Sequence, residues 1–112
     1  MKRKLNQAAQ TSSIKKAIKN YIEELRNHGI PVNEVILFGS CVRGGAKEES
    51  DIDVAIVSEA FSGDRFEDRR RIVPLRRGID SRIEPIPLTP AAFAAGGNLI
   101  DEIKRTGIRI AA

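Results

Sequence analysis

The stretch FGSCVRGGAKEESDIDVAIVSE, residues 38–59, decides the fold because it joins a glycine–serine turn to a strand that carries two acids. Upstream, residues 35–38 form a continuous apolar run, which is typical of a strand buried on both faces and predicts the centre of a sheet. Downstream, residues 51–57 alternate with the period of a strand. One face of this second strand is apolar, and the other face carries Asp51 and Asp53.

Asp51 and Asp53 are therefore predicted to point the same way. Two carboxylates at positions i and i+2 of a strand lie about 6 to 7 Å apart, so their repulsion calls for a compensating cation. Oxygen ligands of this kind suit Mg²⁺ or Mn²⁺, which often take phosphate oxygens as further ligands. A solvent-facing strand, on which acids cost little, is the alternative interpretation.

The turn at Gly39 and Ser40 favours the first interpretation. Gly39 ends the buried strand and Ser40 begins a predicted helical turn that extends to about residue 46, so free backbone N–H groups can approach a phosphate. The motif is not a P-loop, because Gly45 stands where that motif requires Lys, and the dinucleotide-binding fingerprint is also missing. Gly-Ser followed after ten residues by Asp-Ile-Asp is a far more restrictive pattern than the turn alone.

The length of 112 residues suits one small α/β domain. We expect residues 1–11 to form a basic flexible tail and residues 12–112 to form the domain. Ser12 or Ser13 caps a first amphipathic helix, which ends at Gly29.

The second half of the chain continues this alternation of helices and strands. An arginine-rich helix is predicted from about Asp64 to near Pro74. Residues 82–88 predict a third strand, in which Pro85 and Pro87 lack amide donors and favour an edge position or a strand end. The remaining predicted elements are a short helix after Thr89, a last helix capped by Asn98 and a small closing strand after Gly107.

The net charge of +4 comes with a cluster of arginines in residues 69–77. This segment suits either a docking surface for an anion or a solvated helix face with acids interleaved. The opening MKRK suits a tail better than a nucleic-acid arm, so nucleic acid is not expected as the main partner. The lone Cys41 cannot form an internal disulfide, and no apolar run reaches the roughly 20 residues needed to cross a bilayer. Because the start of the chain also lacks a secretory signal, we expect a cytoplasmic location and no membrane partner.

The segment GSCVRGGAKEESDIDVAIV, residues 39–57, resembles the signature of the DNA polymerase beta-like nucleotidyltransferase superfamily, a Gly-Ser turn followed by Asp-x-Asp. The RGGA pattern at residues 43–46 and the SDID junction at residues 50–53 are most similar to its minimal nucleotidyltransferase branch. The resemblance covers nearly the whole chain from Ser12 onward. It implies an α/β fold of the α+β kind, a small mixed sheet with helices packed on it.

The resemblance also implies a reaction. In this superfamily two motif acids and a third carboxylate bind two divalent ions, and a nucleoside monophosphate is transferred from a nucleoside triphosphate with release of pyrophosphate. Asp51 and Asp53 would then hold two Mg²⁺ or Mn²⁺ ions, with ATP as the expected substrate. The residues that would bind the nucleotide are Gly39, Ser40, Arg43 and Ser50.

Glu84 is the implied third acid of the catalytic and metal-binding set. The family pattern usually has Asp at this position, and the longer Glu side chain reaches the same ion only if its strand lies slightly further back. A structural role for Glu84 is the alternative, with Asp80 as the other candidate for the third acid.

The acceptor surface is expected to come from outside these residues. The minimal branch resembles antitoxins of HEPN/MNT toxin–antitoxin pairs, which bind a helical toxin and transfer AMP to a tyrosine. The leading hypothesis is thus a protein adenylyltransferase that is also an antitoxin, with the arginine-rich segment and the C-terminal helix as contact surfaces. A binding module that neutralises its partner by contact is one alternative. A homo-oligomeric transferase acting on RNA or on a small molecule such as an aminoglycoside is another.

Overall fold

The computed structural model describes the backbone of residues 2–43 and 50–110, and the side chains of residues 12–42 and 50–110. Four strands and five α-helices follow one another along these ranges. In chain order the elements are α1 (Lys2–Asn27), β1 (Glu34–Phe38), α2 (Ser40–Arg43), β2 (Ile52–Val57), α3 (Arg65–Ile72), a 3₁₀ turn (Val73–Arg76), β3 (Ile83–Leu88), α4 (Pro90–Ala95), α5 (Asn98–Thr106) and β4 (Ile108–Arg109).

The strands form one mixed sheet in the order β3-β2-β1-β4. β1 pairs antiparallel with β2 and with β4, and β2 pairs parallel with β3. The mixed α/β fold is as predicted, and β1 lies inside the sheet as its continuous apolar run indicates. This topology places the start of β2 beside the end of β1, so the turn after β1 lies next to the acids of β2.

The predicted edge position of β3 is confirmed, and its prolines explain it. The carbonyl oxygens of Arg82 and Leu88 accept hydrogen bonds from the β2 side of the sheet, namely from the N–H groups of Ile52 and Ser58. Backbone groups alternate in direction along a strand, so the odd-numbered positions of β3 point to the outer edge. Proline at two of these positions leaves no N–H group there for a further strand to pair with.

Apolar side chains cover both faces of the sheet. α1 and α3 pack on one face, and α4 and α5 pack on the other. The buried residues of the first face include Ile18, Leu25, Leu37, Ile52, Val54, Ile56, Ile72 and Ile83. Those of the second face are Ile36, Ala55, Val57, Leu88, Phe93 and Ile103. The alternation predicted for β2 is confirmed, and Asp53 shares its face of the sheet with Ala55 and Val57.

The first helix begins earlier than the sequence predicts. α1 starts at Lys2, whereas the predicted helix begins at Ser12 or Ser13 after a flexible tail. Residues 2–11 contain no Gly or Pro and are rich in Ala, Lys and Gln, so their helix propensity allows the helix to extend backward. The helix ends as predicted before Gly29, whose φ of +81° suits glycine.

The later helices lie close to their predicted positions. Asp64 caps α3 by accepting hydrogen bonds from the amides of Phe66 and Glu67, and Thr89 caps α4. α5 begins at Asn98, with Gly97 rather than Asn98 at the cap position, so that boundary is one residue earlier than predicted. No helix in the described part of the chain combines the length and the apolar character that a bilayer crossing requires.

Candidate active site

Gly39 and Asp53 are in direct contact at the end of β1. Phe38 pairs with Asp53 in the antiparallel register, which brings the Asp53 side chain over the next residue of the turn. A Cβ atom added to Gly39 would lie 3.2 Å from the Asp53 carboxyl carbon and would collide with carboxylate Oδ2. Gly39 also has a φ of +79°, a conformation that L side chains rarely adopt. The backbone conformation therefore favours glycine here, and a side chain at this position would also force the Asp53 carboxylate to shift.

The helical turn predicted after Gly39 is present as α2. It begins at Ser40, and the Val42 amide donates to the carbonyl oxygen of Gly39 at 3.0 Å. The predicted turn extended to residue 46, but residues 44–49 lie outside the described part of the chain. Ser40 is half-buried at the start of this turn, next to the glycine that contacts Asp53.

Cys41 connects the turn to the acid-bearing strand. Its Sγ donates to the Asp51 carbonyl oxygen at 3.4 Å. Burial raises the pKa of the Cys41 thiol, and the charges of Asp53 and Asp51 raise it further, against an opposing effect of Arg82. The raised pKa keeps the thiol protonated near neutral pH, so Cys41 serves as a packing contact beside the acids rather than as a nucleophile. The sequence pattern did not assign this contact to Cys41.

Two of the predicted nucleotide-binding residues stand at the ends of the insert between α2 and β2. Arg43 is the last residue of α2, and its side chain lies outside the described residues. Ser50 directly precedes Asp51 and is half-buried. Their predicted contacts with a nucleotide stay predictions.

Glu84 lies next to Asp53 but its carboxylate is bound by two arginines. The two residues are partners in the parallel register of β2 and β3, so their side chains leave the same face of the sheet. Arg69 Nη2 lies 3.5 Å from Glu84 Oε1, and Arg76 Nη1 lies 3.2 Å from Glu84 Oε2. We call Arg69, Arg76 and Glu84 the arginine clamp. No sequence pattern indicated this clamp, because the two arginines lie in a segment interpreted as a docking surface or a solvated face.

Asp80, the other candidate for the third acid, is engaged by a neighbour. Its carboxylate accepts hydrogen bonds from the Arg82 side chain, with 2.8 Å between Asp80 Oδ2 and Arg82 Nη2, and from the Arg82 amide. Hydrogen bonds and charge from Arg82 hold the pKa of Asp80 below its ordinary value, although burial opposes them. Asp80 therefore serves to order the turn that leads into β3.

The donor set fits a hard divalent cation through two residues. Asp51 and Asp53 flank Ile52 at the start of β2 and present carboxylate oxygens, the ligand type that Mg²⁺ and Mn²⁺ prefer. Among the residues that the structure describes, no three Asp, Glu, His or Cys side chains are grouped closely enough to hold a metal ion. Asp51 and Asp53 are thus the two candidate ligands here, while Glu84 is paired with its two arginines.

The arginine-rich segment is only partly the solvated surface that its composition suggests. Asp68 is buried on α3 and accepts hydrogen bonds from the Ser62 amide at 2.8 Å, the Ser62 hydroxyl and the Gly63 amide. Burial would raise the pKa of Asp68, but these hydrogen bonds and the charge of Arg71 outweigh it and leave the pKa below its ordinary value. Asp68 therefore fixes the loop before α3, which no sequence signal indicated.

Comparison with known proteins identifies the family. The mixed sheet, the glycine turn and the acid-bearing strand define a domain of the nucleotidyltransferase class. A family model described as a nucleotidyltransferase domain matches residues 16–106, most of the chain, and the chain belongs to this family. The predicted resemblance to minimal nucleotidyltransferases is thereby confirmed.

A relative and two solved structures agree with this family. A candidate protein adenylyltransferase from Methanocaldococcus jannaschii is 44% identical over 45 residues, which cover 39% of this chain and 45% of the relative. The match thus spans less than half of the relative's length. A crystal structure of a candidate nucleotidyltransferase from Sulfolobus solfataricus superposes with a TM-score of 0.67 and 21% identity, covering 92% of this chain and 84% of the other.

A crystal structure of a toxin–antitoxin with AMP-PNP superposes with a TM-score of 0.55 and 22% identity, covering 88% of this chain and 73% of the other. At these identities the two structural likenesses concern the fold.

Proposed function

We propose that this domain is a nucleotidyltransferase that transfers AMP from ATP to a protein acceptor, a tyrosine of a HEPN-type helical toxin, and acts as the antitoxin of that partner. The observation that carries the proposal is the contact between Gly39 and Asp53. It places the Asp53 carboxylate against a turn that leads directly into the backbone amides of α2, so a candidate metal ligand and candidate phosphate donors adjoin. The M. jannaschii relative and the toxin–antitoxin structure with AMP-PNP support the choice of reaction and partner.

Asp51 and Asp53 would hold Mg²⁺ or Mn²⁺ in this function, and Glu84 would act as the third acid only after separating from Arg69 and Arg76. Bound divalent ions would shield phosphate charge, activate the attacking oxygen and stabilise the leaving pyrophosphate. Gly39 lets the turn lie against Asp53, and Ser40 offers a hydroxyl and a backbone amide at the start of α2 for a phosphate. Arg43 and Ser50 would complete the nucleotide site at the two ends of the insert.

The acceptor surface is proposed to involve α3 and α5. Each of these helices carries one of the large hydrophobic side chains that are exposed in the described part of the chain, Phe66 at 72% and Leu99 at 43%. Arg70 stacks on the Phe66 ring at 5.9 Å, so an aromatic and a cation are presented together. Exposed aromatic and arginine side chains are typical anchors of protein interfaces.

The contact-only antitoxin is the second candidate, and the arginine clamp favours it. A third carboxylate bound by two arginines is a poorer metal ligand, which would slow or abolish transfer while leaving the binding surfaces intact. The two functions differ in whether the partner becomes labelled.

Partner labelling tests the proposal. The protein is incubated with α-labelled ATP, Mg²⁺ and its co-purifying protein, beside an Asp51→Asn/Asp53→Asn variant and a Glu23→Gln/Glu59→Gln control, which removes two exposed acids outside the site and outside α3 and α5. We expect labelled partner with the wild type and the control, and none with the aspartate variant. No label in any reaction, with partner binding unchanged, would reject the transferase and favour the contact-only antitoxin.

A further inference from the structure

Both oxygens of the Glu84 carboxylate are occupied by guanidinium groups. Arg69 approaches Oε1 and Arg76 approaches Oε2, so neither oxygen faces only solvent. The Glu84 side chain is 35% exposed, and those of Arg69 and Arg76 are 36% and 26% exposed. Partly buried pairs of this kind are screened less by solvent and salt than pairs on the open surface.

The two arginines are themselves fixed to the outer edge of β3. Arg69 Nη1 donates to the Pro85 carbonyl oxygen at 2.8 Å, and Arg76 Nη1 donates to the Ile83 carbonyl oxygen. These carbonyls point away from β2, on the side of β3 that none of the four described strands covers. Each guanidinium therefore bridges one backbone oxygen and one Glu84 oxygen, which gives the clamp a defined geometry rather than a loose charge pairing.

The clamp lies beside the two acids of the candidate active site. Glu84 is the register partner of Asp53, and partner residues on adjacent strands are about 4.8 Å apart. A cation held by Asp51 and Asp53 would attract the Glu84 carboxylate as a further ligand. Two guanidinium groups on that carboxylate compete with the cation and also repel it.

We propose that Arg69 and Arg76 are positioning residues that hold Glu84 out of the ligand set of Asp51 and Asp53, and so weaken divalent-cation binding by the nucleotide-free protein. This inference rests on the proposed metal site at those two aspartates. Its consequence is that the cation enters the site together with the triphosphate, which supplies the oxygen ligands that Glu84 does not.

The test is the affinity of the nucleotide-free protein for Mn²⁺, measured by isothermal titration calorimetry or by the electron paramagnetic resonance signal of free Mn²⁺. We expect the Arg69→Gln/Arg76→Gln variant to bind Mn²⁺ about five- to tenfold more tightly than the wild type, the factor that corresponds to losing two partly exposed ion pairs. Adding Glu84→Gln should remove most of this gain. A gain of equal size with and without Glu84 would show an effect of charge alone and overturn the inference.

The Arg70→Gln/Arg77→Gln variant is the matched control, because it removes two positive charges from exposed side chains of the same segment that do not contact Glu84 in the structure. We expect its Mn²⁺ affinity to stay close to that of the wild type. Because the substitutions at Arg69 and Arg76 also remove contacts with the edge of β3, circular dichroism is used to check that the variant still folds. If the glutamine variant does not fold, Arg69→Lys and Arg76→Lys keep the charges but not the two-pronged bridges, and each should still raise the affinity.

The outcomes separate this inference from the proposed function. One outcome is Mn²⁺ binding that depends on Asp51 and Asp53 yet is unchanged by the arginine substitutions. That result would reject the inferred role of Arg69 and Arg76 and would still support the metal site. Absence of Mn²⁺ binding in every variant would also reject that role. The partner-labelling experiment decides the transferase independently, because that assay supplies the triphosphate.

Discussion

The carboxylate of Asp53 occupies the space that a side chain at Gly39 would need. The two residues are fourteen positions apart in the sequence, and the antiparallel pairing of β1 with β2 brings them together. The glycine of the Gly-Ser motif is thus explained by an acid of the Asp-x-Asp motif.

Gly39→Ala is expected to destabilise the protein more than Gly78→Ala. Both glycines have a positive φ, +79° and +84°, so both substitutions cost about 1 to 2 kcal/mol in backbone strain. Only Gly39 would also collide with Asp53, since a Cβ at Gly78 meets no atom within 4 Å. Urea unfolding measures the difference, and equal free energies of unfolding for the two variants would contradict the contact.

Asp68→Asn is expected to lower the free energy of unfolding by about 2 to 3 kcal/mol, because a buried carboxylate loses strong hydrogen bonds from Ser62 and Gly63. Glu67→Gln, an exposed neighbour on the same helix, is the control and should change it by less than about 0.5 kcal/mol. Chemical denaturation near neutral pH provides the comparison. A loss at Asp68 no larger than at Glu67 would show that the carboxylate does not fix the loop.

Acid is expected to destabilise the fold through Asp68 and Asp80. Their pKa values are lower in the folded state than the ordinary value, so the folded protein binds fewer protons than the unfolded chain as the pH falls. Their contribution is complete above the ordinary carboxyl pKa of about 3.9 and is lost as the pH falls through the lower folded values. The free energy of unfolding, measured between about pH 6 and pH 2, should fall less steeply with decreasing pH for Asp68→Asn than for the wild type.

Tyr21 is expected to titrate far above an ordinary tyrosine. It is fully buried, its hydroxyl donates to the Ile72 carbonyl oxygen at 2.6 Å, and burial raises its pKa although Arg76 and Arg69 oppose this. Because the folded pKa is raised, the stabilisation is present below about pH 10 and is lost as the pH rises. Tyr21 is the only tyrosine of the chain, so phenolate absorbance reports it alone. Phenolate formation near pH 10 in the folded protein would disagree with this burial.

Tyr21→Phe removes the same hydrogen bond without removing the ring. We expect the free energy of unfolding to fall by about 1 to 2 kcal/mol, because the Ile72 carbonyl loses its tyrosine donor at the junction of α3 and the 3₁₀ turn. Unchanged stability in urea unfolding would indicate that another donor replaces the hydroxyl.

The sequence by itself determined the strands, the family and the acid pair. Residues 35–38 are apolar without interruption and residues 52–57 alternate, which fixes one strand inside the sheet and one face of the next. The turn at Gly39 and the shared strand face of Asp51 and Asp53 could be predicted from neighbouring residues alone, because they depend on turn chemistry and on the period of a strand. Pro85 and Pro87 likewise predicted an edge strand, since proline lacks the amide that a central strand must donate.

Only the tertiary structure decided which partners the charged side chains have. Arg69 and Arg76 belong to one charged segment in the sequence, and the docking of α3 along β3 directs them onto Glu84. Asp68 is one of the acids interleaved in this segment, and the loop before α3 folds over it. Charged residues follow no period that reveals their contacts, because a long side chain can reach across elements and pairs with whatever the packing brings near.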